Sequence, residues 1–138
     1  MWLSTKGRYS LRALMELGER YGEGPVLLDY IAKKQVLSKK YLHALLNQLR
    51  AEKIVHSIRG CKGGYCLSRP PKEITIKDII TAVEGPISLV DCIEKPTICD
   101  RSTDCAARIV WNDIGQKFER ILKDITLEDV IKIKKNKN

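Results

Sequence analysis

Residues 35–50 read QVLSKKYLHALLNQLR, and this stretch decides the fold. Leucines at positions 42, 45, 46 and 49 recur at the spacing of one helix face, which predicts a helix from about Lys39 to Ala51 with that face packed inward. Ser38 is a good N-cap for this helix. The residues of this helix that point away from the core include Lys39, Lys40, His43, Asn47 and Arg50. This basic outer face is the first indication of a binding surface.

The residues before this helix complete a helix-turn-helix. Apolar residues recur at helical spacing over positions 11–21, and the Gly22–Pro25 stretch ends that first helix. A short second helix follows, with Leu28, Ile31 and Ala32 directed inward, and a tight turn at 35–37 leads into the third. Two short helices joined by a tight turn, the second with a basic outer face, predict a helix-turn-helix.

The residues after this helix predict a β-hairpin. Positions 54–59 and 65–68 alternate at strand period, and the glycine-rich segment 60–64 between them is a turn. Such a hairpin is the wing of a winged helix. Arg59 and Lys62 carry positive charge at its tip, which suits the narrow, electronegative minor groove of DNA.

The excess positive charge is confined to the first half of the chain. Residues 1–70 hold 13 Lys or Arg against five acids and residues 71–138 hold 12 of each, so the net charge of +8 belongs to the first half. A basic helix face alone is most often simply solvated. Together with the turn, the wing and the charge distribution, it predicts binding of double-stranded DNA.

The second half predicts a dimerisation element. After Pro70–Pro71, Thr75 and Asp78 form a capping box for a helix that ends at 84–86. A long helix begins near Asp104, with apolar residues at helical spacing from Val110 to Ile125. Its apolar face exceeds what one small subunit can cover, which favours a homodimer on a palindromic site, although folding of this helix over its own winged helix is the alternative.

Three cysteines lie between these helices, as Cys92-x6-Cys99-x5-Cys105, in an acidic and polar segment. Thiolates at this spacing on a loop can surround one iron–sulfur cluster or one zinc ion, since both prefer sulfur ligands. Three ligands leave one position open, which is typical of a sensor rather than of a structural clip.

Composition narrows the class of protein. No run of 18 apolar residues occurs and the first ten residues do not resemble a signal peptide, so we expect a cytoplasmic protein without a membrane segment. The odd count of five cysteines favours reduced thiols. An enzyme with a cysteine nucleophile is disfavoured, because the only histidines, His43 and His56, both lie in the predicted DNA-binding half.

Four segments and the three cysteines carry a resemblance to a known family. The segments are residues 3–9 (LSTKGRY), 37–42 (LSKKYL), 59–65 (RGCKGGY) and 83–87 (VEGPI). The chain resembles the IscR-like (Rrf superfamily) iron–sulfur transcription regulators over nearly its whole length. The resemblance implies a homodimeric winged-helix repressor, sometimes an activator, that binds promoter DNA. It further implies that Cys92, Cys99 and Cys105 hold a cluster, 2Fe–2S in preference to 4Fe–4S, and that iron–sulfur assembly machinery is a further partner. The residues expected to contact DNA are Arg8, Ser38, Lys39, Lys40, Tyr41, His43, Ala44, Asn47, Arg59, Gly60, Lys62 and Gly63.

The chain departs from that family's pattern at two places. Arg108 stands where well-known members have a histidine that completes the cluster, and arginine stays protonated and does not normally ligate iron. The fourth ligand is left open among Asp91, Glu94, Asp100, Asp104, a group of the partner subunit or a small thiol. His43 and Ala44 replace a glutamate and a glutamine on the reading face, so we expect a different operator.

The expected fold is therefore mostly α with a small β-hairpin wing: a winged helix-turn-helix plus a long dimerisation helix. The segments are a DNA-binding domain (1–70), a connecting helix and turn (71–90), a cluster-binding cysteine loop (91–105), a dimerisation helix with a C-terminal segment (104–131) and a disordered basic tail (132–138). The alternatives are a regulator that senses redox state through zinc or thiols, and a clusterless regulator controlled by an enzyme of cysteine metabolism.

Overall fold

A computed structural model describes residues 3–137. In chain order, the elements are α1 (Thr5–Glu19), α2 (Leu28–Gln35), α3 (Lys39–Ala51), β1 (Val55–Ile58), β2 (Gly64–Leu67), a 3-10 turn (Pro71–Glu73), α4 (Ile76–Glu84), α5 (Asp91–Glu94), a second 3-10 turn (Pro96–Ile98), α6 (Ala106–Asp124) and α7 (Leu127–Asn136). The predicted fold class, mostly helical with one hairpin, is confirmed.

Local capping signals begin the helices where the sequence predicts them. The Ser38 hydroxyl accepts a hydrogen bond from the Tyr41 amide at 3.1 Å at the start of α3. At the start of α4, the Thr75 hydroxyl accepts from the Asp78 amide, and the Asp78 carboxylate accepts in return from the Thr75 amide. Such reciprocal bonds satisfy amides that the first helical turn leaves without partners.

The wing is a two-stranded antiparallel hairpin in which Val55 pairs with Leu67 and Ile58 with Gly64. It is fixed to the segment before α2, because Val26 and Tyr65 exchange two backbone hydrogen bonds of 2.9 Å. A short bridge of this kind gives the hairpin a third pairing partner, which a two-stranded ribbon needs for stability.

The hydrophobic core joins both ends of the chain. Leu14 and Ile31 from the first half are fully buried in the same cluster as Ile79 and Leu127 from the second half. Residues 1–70 therefore do not enclose a complete core by themselves, and the core continues across the predicted boundary at residue 70. The two halves of the core are held in register by a bridge, in which the Ile76 amide donates to the Ile125 carbonyl and the Leu127 amide to the Ile74 carbonyl.

The basic tail predicted to be disordered is helical as far as Asn136, while residue 138 lies outside the described residues. Three contacts explain the difference: Ile131 is buried in the core, and Lys134 reaches the carboxylates of Glu19 at 2.6 Å and Glu16 at 3.7 Å on α1. The hydrogen bond to Glu19 raises the pKa of Lys134 above its ordinary value.

Helix α6 leaves an apolar stripe exposed. Leu122 and Gly115 face inward, but a row of large apolar side chains does not: Ile109, Val110, Trp111, Ile114, Phe118 and Ile121. A contiguous exposed stripe of this kind marks an interaction surface in a globular protein. Among the described helices, none has the length and apolar character needed to cross a membrane.

Candidate nucleic-acid interface and cysteine loop

Helix α3 has an exposed outer face, formed by Lys39, Lys40, His43 and Ala44. The four leucines of the helix are buried on its opposite side. The Nζ of Lys39 lies 3.0 Å from an Asp29 carboxylate oxygen, so part of its charge is already compensated. The Asn47 amide nitrogen lies 3.3 Å from His43 Nδ1, one turn away on the same helix. That contact orients the imidazole and directs Nε2 away from Asn47.

Helix α1 contributes to the same side of the molecule through a stripe that the sequence interpretation missed. The Thr5 hydroxyl lies 3.0 Å from the Tyr41 hydroxyl, and the Tyr9 ring meets the Tyr41 ring edge-on at 6.1 Å. The Arg12 guanidinium lies 5.3 Å from the centre of the Tyr9 ring. Positions 5, 9 and 12 are spaced as one helical face, a signal that could have revealed this stripe beside the exposed Arg8.

The wing tip presents Arg59, Gly60 and Lys62 to solvent, as the sequence predicts, but Gly63 is buried. A Cβ on Gly63 would lie 2.1 Å from the Ile58 carbonyl oxygen. The close approach that this glycine permits is therefore to the wing's own backbone. Gly63 is better explained as a requirement of the turn than as a contact residue.

The cysteine loop (residues 91–105) is built from the short helix α5 and one 3-10 turn. Cys92 and Cys105 are half-buried, Cys99 is exposed, and all three are free thiols, as are Cys61 and Cys66 outside the loop. Burial raises the pKa of the Cys66 thiol, which favours its protonated form.

Arg108 holds the cysteine loop together. Its Nε donates to the Cys92 carbonyl at 3.1 Å and its Nη1 to the Ser102 carbonyl at 3.4 Å. Ser102 is only 8% exposed, and its hydroxyl donates in turn to the Pro96 carbonyl at 2.7 Å. One guanidinium thus joins the beginning and the end of the loop, at the position where the family resemblance implies a ligand.

The fit of this loop to a cluster is therefore mixed. Three free thiols on one polar, accessible loop have the chemistry that iron–sulfur clusters and zinc select. Over residues 3–137, however, no three His, Cys, Asp or Glu side chains lie close enough together to hold a metal ion. Cluster binding would require the three thiols to approach one another.

The fold and the site define a class of protein. A helix-turn-helix with a basic outer face, a two-stranded wing and a long helix with an exposed apolar stripe is the architecture of winged-helix transcription regulators. The family comparison agrees: the Rrf2 model, described as "Iron-dependent Transcriptional regulator", matches residues 3–133. The chain belongs to the Rrf2 family of transcription regulators, which confirms the resemblance inferred from its motifs.

The relatives include proteins named CymR and proteins named IscR. The HTH-type transcriptional regulator CymR of Bacillus subtilis is 42% identical over 130 residues, covering 94% of this chain and 89% of that protein. The HTH-type transcriptional regulator IscR of Sodalis glossinidius is 34% identical over 131 residues, covering 95% and 79%. The solved structure of CymR, the global cysteine regulator of B. subtilis, has a TM-score of 0.79 at 41% identity, covering 96% of this chain and 98% of that chain.

Proposed function

We propose that this regulator binds palindromic promoter DNA as a homodimer and acts as a repressor. The observation that carries the proposal is the combination of an exposed outer face on α3 with the charged tip of the wing, Arg59 and Lys62. The side chains of α3 would read bases in the major groove, and the wing would enter the adjacent minor groove. Selection of duplexes from a random pool, followed by footprinting, tests this directly, and recovery of no enriched sequence would contradict it.

The apolar stripe of α6 supports the homodimer. Two such stripes packed together would shield the six apolar side chains of each subunit from water and set two α3 helices a fixed distance apart, as a site with two-fold symmetry requires. We expect Phe118→Asp to produce monomers in sedimentation experiments, because the substitution puts a charge into the interface. Ile133→Asp, which changes an exposed apolar residue of α7, is the matched control and should leave the dimer intact.

We further propose that the regulator senses its signal through the cysteine loop. In this proposal Cys92, Cys99 and Cys105 hold an iron–sulfur cluster that reports iron–sulfur, iron or redox status, and iron–sulfur assembly proteins deliver it. A bound cluster supplies a redox-active, oxygen-sensitive group. The protein's own part is to offer three accessible thiols and to release the contacts of Arg108, so that the loop can close around the cluster.

A second candidate function is regulation of cysteine metabolism without a cluster, under the control of a partner protein. Two observations favour it. The chain is 42% identical to CymR, and hydrogen bonds from Arg108 already join the two ends of the loop, at the position where a cluster ligand is expected. In this case the thiols of the loop would be dispensable. A zinc-bound or purely thiol-based sensor is the intermediate alternative, which would need the thiols but no iron.

Anaerobic reconstitution with iron and sulfide separates these functions. If the loop binds a cluster, wild type becomes coloured and contains iron and sulfide. The variants Cys92→Ser, Cys99→Ser and Cys105→Ser should each lose the colour. The control Cys61→Ser, outside the loop, should keep it. Colourless protein that contains zinc indicates a zinc site. Colourless, metal-free protein whose operator affinity is unchanged in all three loop variants would refute the cluster and support the partner-controlled regulator.

A further inference from the structure

The start of α1 is capped twice. The Ser4 hydroxyl accepts a hydrogen bond from the Lys6 amide at 3.1 Å, and a side chain from a distant helix supplies a second cap. One carboxylate oxygen of Glu84, the last residue of α4, accepts hydrogen bonds from the Ser4 amide at 3.2 Å and the Gly7 amide at 3.1 Å, and it also contacts the Ser4 hydroxyl. The first turn of α1 contains no acidic residue of its own. Glu84 therefore supplies the negative charge that a helix N-terminus favours.

The packing at this point is tight. Gly7 is buried, and a Cβ added to it would lie 2.6 Å from a methyl carbon of Leu3 and 3.4 Å from the Glu84 carboxylate. A side chain at residue 7 would therefore displace Leu3 and crowd the Glu84 carboxylate. The hydrogen bonds from Ser4 and Gly7 are 3.2 and 3.1 Å long, so withdrawal of Glu84 would break both.

The same turn of α1 holds a residue of α3. Thr5 follows Ser4 directly, and its hydroxyl lies 3.0 Å from the hydroxyl of Tyr41. Tyr41 is a half-buried residue in the first turn of α3, and its neighbour Lys40 belongs to the outer face. The first turn of α1 thus has Glu84 on one side and Tyr41 on the other.

Glu84 is also the last helical residue before the chain turns towards the cysteine loop. Gly85 has φ +87°, a conformation that favours glycine, and Pro86 follows it. Movement of the chain after Gly85 would act first on the end of α4, where Glu84 lies.

We propose that Glu84 is a positioning residue that couples the cysteine loop to Tyr41 on α3 through the first turn of α1. When Glu84 is withdrawn, the Ser4 and Gly7 amides lose their acceptor and the first turn of α1 loosens, with only the Ser4 hydroxyl left as a cap. Tyr41 then loses the hydroxyl contact with Thr5 and keeps only the edge-on contact with Tyr9. The first turn is then a two-state element which the loop biases on one side and DNA on the other. This inference rests on the proposed function, since Tyr41 must face DNA for the coupling to matter.

A double-mutant cycle tests the link between Glu84 and Tyr41. Affinity is measured by fluorescence anisotropy on a duplex that wild type has selected from a random pool. We expect Glu84→Ala and Tyr41→Phe each to weaken binding about five-fold, and the double variant to be little weaker than either single one, because both act on one element. Glu23→Ala, which changes an exposed carboxylate beyond the other end of α1, should combine additively with Tyr41→Phe. Additive losses for Glu84→Ala and Tyr41→Phe would overturn the proposal.

A second cycle tests transmission from the loop. Arg108→Ala removes the hydrogen bonds that join the two ends of the cysteine loop, and we expect it to change DNA affinity in wild type but not in the Glu84→Ala background. An equal change in both backgrounds would exclude Glu84 as the route.

Hydrogen exchange separates failure of this proposal from failure of the proposed function. We expect the Gly7 amide to exchange faster in Glu84→Ala and to stay near the wild-type rate in Glu84→Gln, which keeps an acceptor oxygen. If wild type selects no DNA, the proposed function fails while this measurement still tests the cap. If Glu84→Ala does not fold, the affinity cycle is run with Glu84→Gln and Glu84→Asp. A variant that loses protection of the Gly7 amide must then also lose its coupling to Tyr41, and a variant that keeps the protection must keep the coupling. Any other combination would overturn the proposal.

Discussion

Replacing Val36 with glycine should stabilise the protein. Val36 ends α2 with φ +54° and ψ +52°, in the left-handed region that β-branched residues avoid. This conformation costs an L-residue about 1–2 kcal/mol, and glycine adopts it without that cost. The Val36 side chain is 87% exposed, so its removal sacrifices almost no burial.

The expected gain is smaller than the full cost of the conformation. Glycine is more disordered than other residues in the unfolded chain, which offsets about 0.5–1 kcal/mol. The unfolding free energy should therefore rise by roughly 0.5–1 kcal/mol, which corresponds to about 2–4 °C in Tm for a domain of this size.

Urea unfolding followed by far-ultraviolet circular dichroism measures this change at a fixed protein concentration, since a dimer's apparent stability depends on concentration. Val36→Ala is the matched control: it keeps the Cβ that causes the strain and should gain much less. A Val36→Gly variant no more stable than wild type, with an unchanged denaturant slope, would refute the reasoning. So would an equal gain from Val36→Ala.

Three further predictions concern the wing, the outer face of α3 and the thiols. Gly63→Ala should distort the wing, because its Cβ would meet a backbone oxygen at 2.1 Å, and should weaken operator binding by roughly ten-fold or more in anisotropy titrations; unchanged affinity would contradict this. His43→Ala should alter which duplexes are selected, whereas Lys40→Ala should weaken binding to operator and random DNA alike; equal losses for both variants on both DNAs would exclude this division of roles. At neutral pH, mass spectrometry should find Cys66 alkylated more slowly than exposed Cys61, because burial raises the pKa of the Cys66 thiol; equal rates would show that this burial does not persist in solution.

The elements that the sequence predicts well are those specified by neighbouring residues. Helix α3 has its cap at Ser38 and its inward leucines within one short stretch, and α4 has its capping box at Thr75 and Asp78. Periodicity and capping are local signals, so they need no knowledge of the rest of the fold.

The features that the sequence does not reveal depend on partners far along the chain. The lysine-rich end of α7 has the composition of a disordered tail. Its helical packing becomes understandable once Ile131 is seen in the core and Lys134 beside the carboxylates of Glu16 and Glu19, more than a hundred positions earlier. Arg108 likewise appears as a missing ligand until its hydrogen bonds to Cys92 and Ser102 are seen. A pattern in one segment carries no information about which distant backbone oxygen a guanidinium will reach.

The position of α7 against α1 has a consequence for biosynthesis. Leu127 is fully buried and Ile131 nearly so in a core that also contains Leu14 of α1, so the helix-turn-helix lacks part of its interior until α7 has emerged from the ribosome. A product of premature termination before α7 would expose the apolar surface that Leu127 and Ile131 normally cover. Such fragments should be removed by proteases rather than accumulate as competitors for DNA, and only finished chains would take part in regulation.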